Sequence, residues 1–85
     1  MKTFEYVIKD KEGIHARPAG VVVKAAKDFE SDITIENKGK SVNCKGIFAV
    51  MSLAAKCGET IIVRAEGRDE DKALEAVKQA VETNL

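Results

Sequence analysis

Four stretches of this chain alternate apolar and polar residues with a period of two, and three others carry an apolar stripe at helical spacing. An alternating strand has one dry face and one wet face, so a sheet built from four of them needs cover on one side only. Within 85 residues the three helices are the only material for that cover. The pattern therefore predicts an α+β fold, an open-faced two-layer sandwich of a four-stranded antiparallel sheet covered on one face by three helices, in the order βαββαβα. A chain of this length has room for one core, so residues 1–85 are expected to form a single domain.

The first strand is read from Phe4, Tyr6 and Ile8 alternating with Thr3, Glu5, Val7 and Lys9. Asp10-Lys11-Glu12-Gly13 is a polar connection with a glycine that can take positive φ. From Ala16 to about Asp28 the period lengthens, with Ala19, Val22, Ala26 and Phe29 on one helical face. Pro18 suits the first turn of that helix, where a missing N–H costs nothing. Ser31 to Asn37 alternates again around Ile33 and Ile35, and Asn37-Lys38-Gly39-Lys40 is a hairpin signal leading to Val42 and Cys44. Ile47 to Lys56 is apolar nearly all round and reads as a second helix, with Gly58 as its C-cap. Thr60 to Gly67 is a strand with Ile61, Val63 and Ala65 inward. Asp69 is an N-cap for a last helix striped by Ala73, Leu74, Val77, Ala80 and Val81.

Charge narrows the function. The 14 basic and 14 acidic residues cancel, which argues against a nucleic-acid binder dependent on a cationic surplus. Residues 1–45 hold nine basic and seven acidic groups, so a local basic patch for an acidic partner is still open. No apolar run reaches the roughly 18 residues of a membrane span, and charge interrupts the N-terminus at once, so no membrane insertion and a cytoplasmic location are expected. Cys44 and Cys57 are spaced for neither a redox pair nor a disulfide framework, and are expected to be reduced. One histidine and two cysteines make no recognisable zinc cluster, there is no P-loop, and no cofactor is expected.

The only histidine and the only proline fall together in Gly13-Ile14-His15-Ala16-Arg17-Pro18-Ala19. A helix starting at Ala16 puts His15 at or near its N-cap, where free N–H groups and a partial positive charge favour an anion, phosphate above all. The same field favours the uncharged, nucleophilic imidazole. Arg17 can reach a phosphoryl oxygen with its planar fork. The group suits a histidine that carries a labile phosphoryl and passes it on. A solvated histidine and arginine beside a helix cap would look the same from chemistry alone. The sequence around them offers no orienting carboxylate or acid–base partner, which argues against a complete hydrolase or kinase.

These residues resemble the histidine-containing phosphocarrier family, HPr, of the bacterial phosphoenolpyruvate:sugar phosphotransferase system. The resemblance rests on Gly13 to Ala19 and on Lys45-Gly46-Ile47-Phe48-Ala49-Val50-Met51-Ser52-Leu53, with Ser41-Val42-Asn43 and the turns at Gly58 and Gly67 in support, and it covers essentially the whole chain. It implies sheet order 1-4-2-3 and a monomer. It implies that His15 accepts a phosphoryl group on Nδ1 from phosphorylated enzyme I and gives it to the IIA component of a sugar permease. Arg17 would stabilise that group and Ala16 and Pro18 would support it. The chain would be a relay without turnover of its own.

The same resemblance makes Ile47, Phe48 and Met51 the docking patch for both partners; otherwise they fill the core. Lys24, Lys27 and Lys45 would form a basic rim steering toward acidic partners, or are simply solvated. At Gly46 the chain departs from the family, which mostly has serine there, the target of a regulatory HPr kinase. Glycine is an acceptable N-cap, so the helix is expected to survive while regulation at this position is not. Neither Ser41 nor Ser52 is expected to replace that serine automatically. Two other readings compete: an HPr-like paralogue in a nitrogen-type or other regulatory phosphorelay, and a binding-only regulatory module.

Overall fold

The computed structural model describes all 85 residues. The chain order is β1 (Lys2–Val7), α1 (Ala16–Lys27), β2 (Asp32–Asn37), β3 (Lys40–Asn43), α2 (Ile47–Met51), β4 (Thr60–Glu66) and α3 (Glu70–Asn84). The strands form one antiparallel sheet in the order β1-β4-β2-β3. Both the element order and the sheet order agree with expectation. No helix is long and apolar enough to cross a membrane.

Register follows from the alternation. Ile33, Ile35, Ile61, Val63 and Ala65 all face the helices and are buried, because a shift by one residue would turn every one of them to solvent. Val22, Val23 and Ala26 of α1 and Ala73, Val77 and Val81 of α3 close over them. The opposite sheet face carries Thr34, Glu36 and Arg64, with an Arg64–Glu36 ion pair of 2.7 Å across β4 and β2. Cys44 lies in the core, where burial pushes its thiol up to about 12; Cys57 is exposed, and both are free.

The second helix is half as long as expected. It stops at Met51 rather than Lys56, and Ser52 rather than Gly58 is its C-cap. Leu53 and Ala54 accept a tighter turn, donating to Val50 and Met51, and Ala54 then takes φ 50°. The cause is packing. Leu53 and Ala55 turn into the core, and the chain leaves helical geometry to bury them. Gly58 sits in the turn before β4 at φ 89°, its N–H donating to the Ile8 carbonyl.

Candidate functional site

Two distant parts of the chain hold the loop that carries His15. The amides of Lys9 and Asp10 both donate to the Leu85 carbonyl at 2.7 Å. The Ile14 amide donates to the Ala55 carbonyl at 2.9 Å. Gly13, at φ 69°, approaches the same segment so closely that a Cβ there would lie 2.3 Å from the Ala55 oxygen. Inside the loop, Asp10 Oδ1 accepts the Glu12 amide at 2.8 Å and the Asp10 carbonyl accepts the Gly13 amide at 3.0 Å. The histidine is therefore delivered by a fixed backbone.

His15 is the N-cap of α1, extended at φ −136° and ψ −178°, and its side chain makes no capping hydrogen bond. Its carbonyl accepts the Ala19 amide. With no side-chain cap and Pro18 lacking a donor, the amides of Ala16 and Arg17 are the ones left to meet an anion. Ala16 and Arg17 are exposed and Pro18 is buried. The Arg17 guanidinium has no ion pair or hydrogen bond within the chain, which leaves it available to a ligand.

The imidazole is 37% exposed, and two carboxylates lie beside it. Its Nε2 is 3.3 Å from Glu12 Oε2 and 4.0 Å from Asp10 Oδ2. The sequence shows no carboxylate beside this histidine, and the structure places two there. The signal was in the Asp10-Lys11-Glu12-Gly13 connection, whose Asp at the turn start folds Glu12 back over the residue three positions on. The three donor atoms lie within 4.8 Å of one another on an open surface, a spacing that also suits a cation.

Beside α1 stands α2. Gly20 faces Ile47, whose Cδ1 lies 3.8 Å from where a Gly20 Cβ would be. Val50 alone of α2 is fully buried. Phe48 is 84% exposed and Met51 37%, while Ile47 is half-buried. Gly46 is the N-cap at φ −113°, and a Cβ there would meet only the Ala49 Cβ, at 3.5 Å, among side chains.

The lysines do not encircle His15. Lys24 and Lys27 lie in the last turn of α1, up to about 18 Å along the axis from the histidine. With Arg17 and Gly20 they follow one helical face, the face on which Gly20 meets Ile47. Lys45 is not a free member of it: its Nζ donates to the Phe29 carbonyl at 2.7 Å, beyond the far end of α1. A surface hollow of about 400 Å³ lined by Asp32, Thr34, Ser41, Asn43 and Lys45 among others contains none of the His15 cluster.

A family model described as the PTS HPr component phosphorylation site matches residues 2–83. The phosphocarrier protein HPr of Mycoplasma capricolum is 46% identical over 81 residues, spanning 95% of this chain and 91% of its own length. A solved mycoplasma histidine-containing phosphocarrier protein superposes with a TM-score of 0.94 at 45% identity, over 99% of this chain and 97% of that one. HPr of Thermoanaerobacter tengcongensis gives 0.92 at 40% identity, over 99% and 94% of the two chains. A dimeric form of HPr from that organism gives 0.77 at 41% identity, over 98% and 95%.

Proposed function

This chain belongs to the HPr family of phosphocarrier proteins of the phosphotransferase system, and from that premise we propose that His15 is the residue on which it carries the phosphoryl group. The observation that carries the assignment is the N-terminus of α1. There a partly exposed imidazole, two amides without a side-chain cap and Arg17, exposed and without a hydrogen bond or ion pair in the chain, follow one another in the first turn. A phosphoryl arriving on the ring brings negative charge to a helix end that favours it. Arg17 supplies a planar, permanently charged fork for its oxygens. Ala16 offers its amide without a side chain in the way, and Pro18 holds the first turn.

The phosphoryl donor in this reading is phosphorylated enzyme I and the acceptor a IIA component of a sugar permease. Phe48, Met51 and Ile47 form the apolar contact for both, with Arg17, Lys24 and Lys27 as its basic edge. The domain acts in the cytoplasm as a monomer and as a relay, regaining its starting state only through its two partners. Gly46 has no hydroxyl, so phosphorylation by an HPr kinase at that position is not expected.

Incubation with enzyme I and phosphoenolpyruvate, followed by intact mass measurement, tests the assignment. Wild type is expected to gain one phosphoryl, about 80 Da by mass arithmetic, that acid removes. His15→Ala is expected to gain none. An equal gain in that variant would place the phosphoryl elsewhere and overturn the reading.

A further inference from the structure

The two carboxylates beside the ring have no role in the anion site as described, and their charge is opposite to what a phosphoryl group wants nearby. Both lie on the Nε2 side, Glu12 Oε2 at 3.3 Å and Asp10 Oδ2 at 4.0 Å. Neither has another cationic partner in the chain. Glu12 is 75% exposed, so burial does not hold its side chain there. Its backbone, however, is pinned by Asp10 Oδ1, and Asp10 is pinned in turn by the Leu85 carbonyl.

We propose that Glu12, with Asp10 behind it, is a positioning residue that selects which imidazole nitrogen carries the phosphoryl group. The inference rests on His15 being the carrier. The protonation of one ring nitrogen is set by what the other faces. Carboxylates on the Nε2 side favour the Nε2–H tautomer and leave the lone pair on Nδ1. The same negative charge repels a phosphoryl from Nε2.

Transfer then proceeds without loss of a ring proton. The Nδ1 lone pair forms the N–P bond as the bond from phosphorus to the donor side chain breaks, its electron pair leaving with the donor. The ring becomes a phosphorylated imidazolium with its Nε2–H and one positive charge, facing Glu12. Return of the phosphoryl to an acceptor breaks the N–P bond and restores the neutral Nε2–H ring.

The test compares wild type with Glu12→Ala and Glu12→Gln, with ring nitrogens labelled with nitrogen-15, at a pH well above the ordinary imidazole range. Ring-nitrogen shifts report the tautomer in the unphosphorylated protein, with no partner present. Wild type is expected to be mainly the Nε2–H form. An exposed charge contact supports a preference of about fivefold or less, so Glu12→Ala should shift the tautomer ratio by about three- to fivefold and slow phosphorylation by enzyme I to a similar extent. Glu12→Gln retains an acceptor oxygen and is expected to fall between. An unchanged tautomer ratio in Glu12→Ala overturns the proposal, and does so even if transfer slows, since that pattern assigns Glu12 to partner contact. A wild type that takes no phosphoryl would instead overturn the carrier reading, while the tautomer measurement still decides what Glu12 does to the ring.

Discussion

The two helices that build this site begin alike and do opposite things. Both α1 and α2 start from an extended residue, His15 or Gly46, with no side-chain cap and no acidic residue in the first turn. But α1 runs twelve residues and buries five of them, Pro18, Ala19, Val22, Val23 and Ala26, whereas α2 runs five and buries only Val50. The long helix, locked by its buried stripe, offers its end. The short one offers its side, with Phe48 left outside. A phosphoryl group needs donors held at one point, and that calls for an anchored helix. A partner surface needs exposed apolar area, and a helix too short to bury it supplies that. In the proposed reading one core thus supports a chemical end and a docking flank side by side.

The largest effect expected is at the chemical end. Arg17→Ala should slow phosphorylation by roughly a hundredfold, in line with loss of one preorganised charge-stabilising donor. Its melting temperature should stay near wild type because the exposed side chain makes no hydrogen bond or ion pair in the chain. Arg17→Lys should recover only part of the rate, since an ammonium lacks the fork. A large fall in stability on Arg17→Ala would show that the guanidinium is structural.

The next contrast sets the two helices directly against each other. Val22→Ala empties a fully buried position and should cost about 2 kcal/mol in urea unfolding. Phe48→Ala removes an exposed ring and should change stability by no more than about 0.5 kcal/mol. Phe48→Ala should instead raise the KM for phosphorylated enzyme I. If it unfolded the chain as readily as Val22→Ala, the outer face of α2 would belong to the core and the division between the helices would fail.

Acid should loosen the segment that follows α2 through a particular carboxylate. Hydrogen bonds from the Lys38 ammonium and the Lys56 amide hold the Glu59 carboxyl at about 2, below its ordinary 4.5. Glu59 also accepts from Asn37, whose amide reaches the Leu53 carbonyl, so it ties the segment after α2 to the β2–β3 hairpin. A lowered folded-state pKa stabilises above the unfolded value and loses that contribution as pH falls through the folded one. The protection of the Lys56 amide, taken relative to its intrinsic exchange rate at each pH, is therefore expected to fall between pH 4.5 and about 2, and Glu59→Gln to remove that dependence. Protection in α1 falling equally over the same window would point to global unfolding.

The smallest effect is at the start of α2. Gly46→Ser should stabilise by a few tenths of a kcal/mol at most, because the backbone is already extended and the space is open. A loss of stability there would show that the glycine serves backbone geometry.

These contrasts also mark where the fold could be read from the chain. Ile33, Ile35, Ile61 and Val63 settle the sheet faces because a two-residue period has only two outcomes. His15 could be placed at a cap because the period changes at Ala16 and Pro18 follows. The end of α2 could not be read. Its apolar run continues to Ala55, and only the packing of Leu53 and Ala55 against distant strands turns the chain out of the helix. Lys45 was hidden for a similar reason, since its partner, the Phe29 carbonyl, is 16 residues away. Asp10 and Glu12 were within local reach, but a polar turn does not show which side of the ring its carboxylates will take.

The most direct test of the account is the site of the bond itself. Phosphorylated protein with nitrogen-15 in the imidazole should show phosphorus coupling to Nδ1 of His15 and none to Nε2. Coupling to Nε2, or phosphorus on any other residue, would contradict the arrangement in which the α1 end and Arg17 receive the phosphoryl while Glu12 and Asp10 hold the opposite side of the ring.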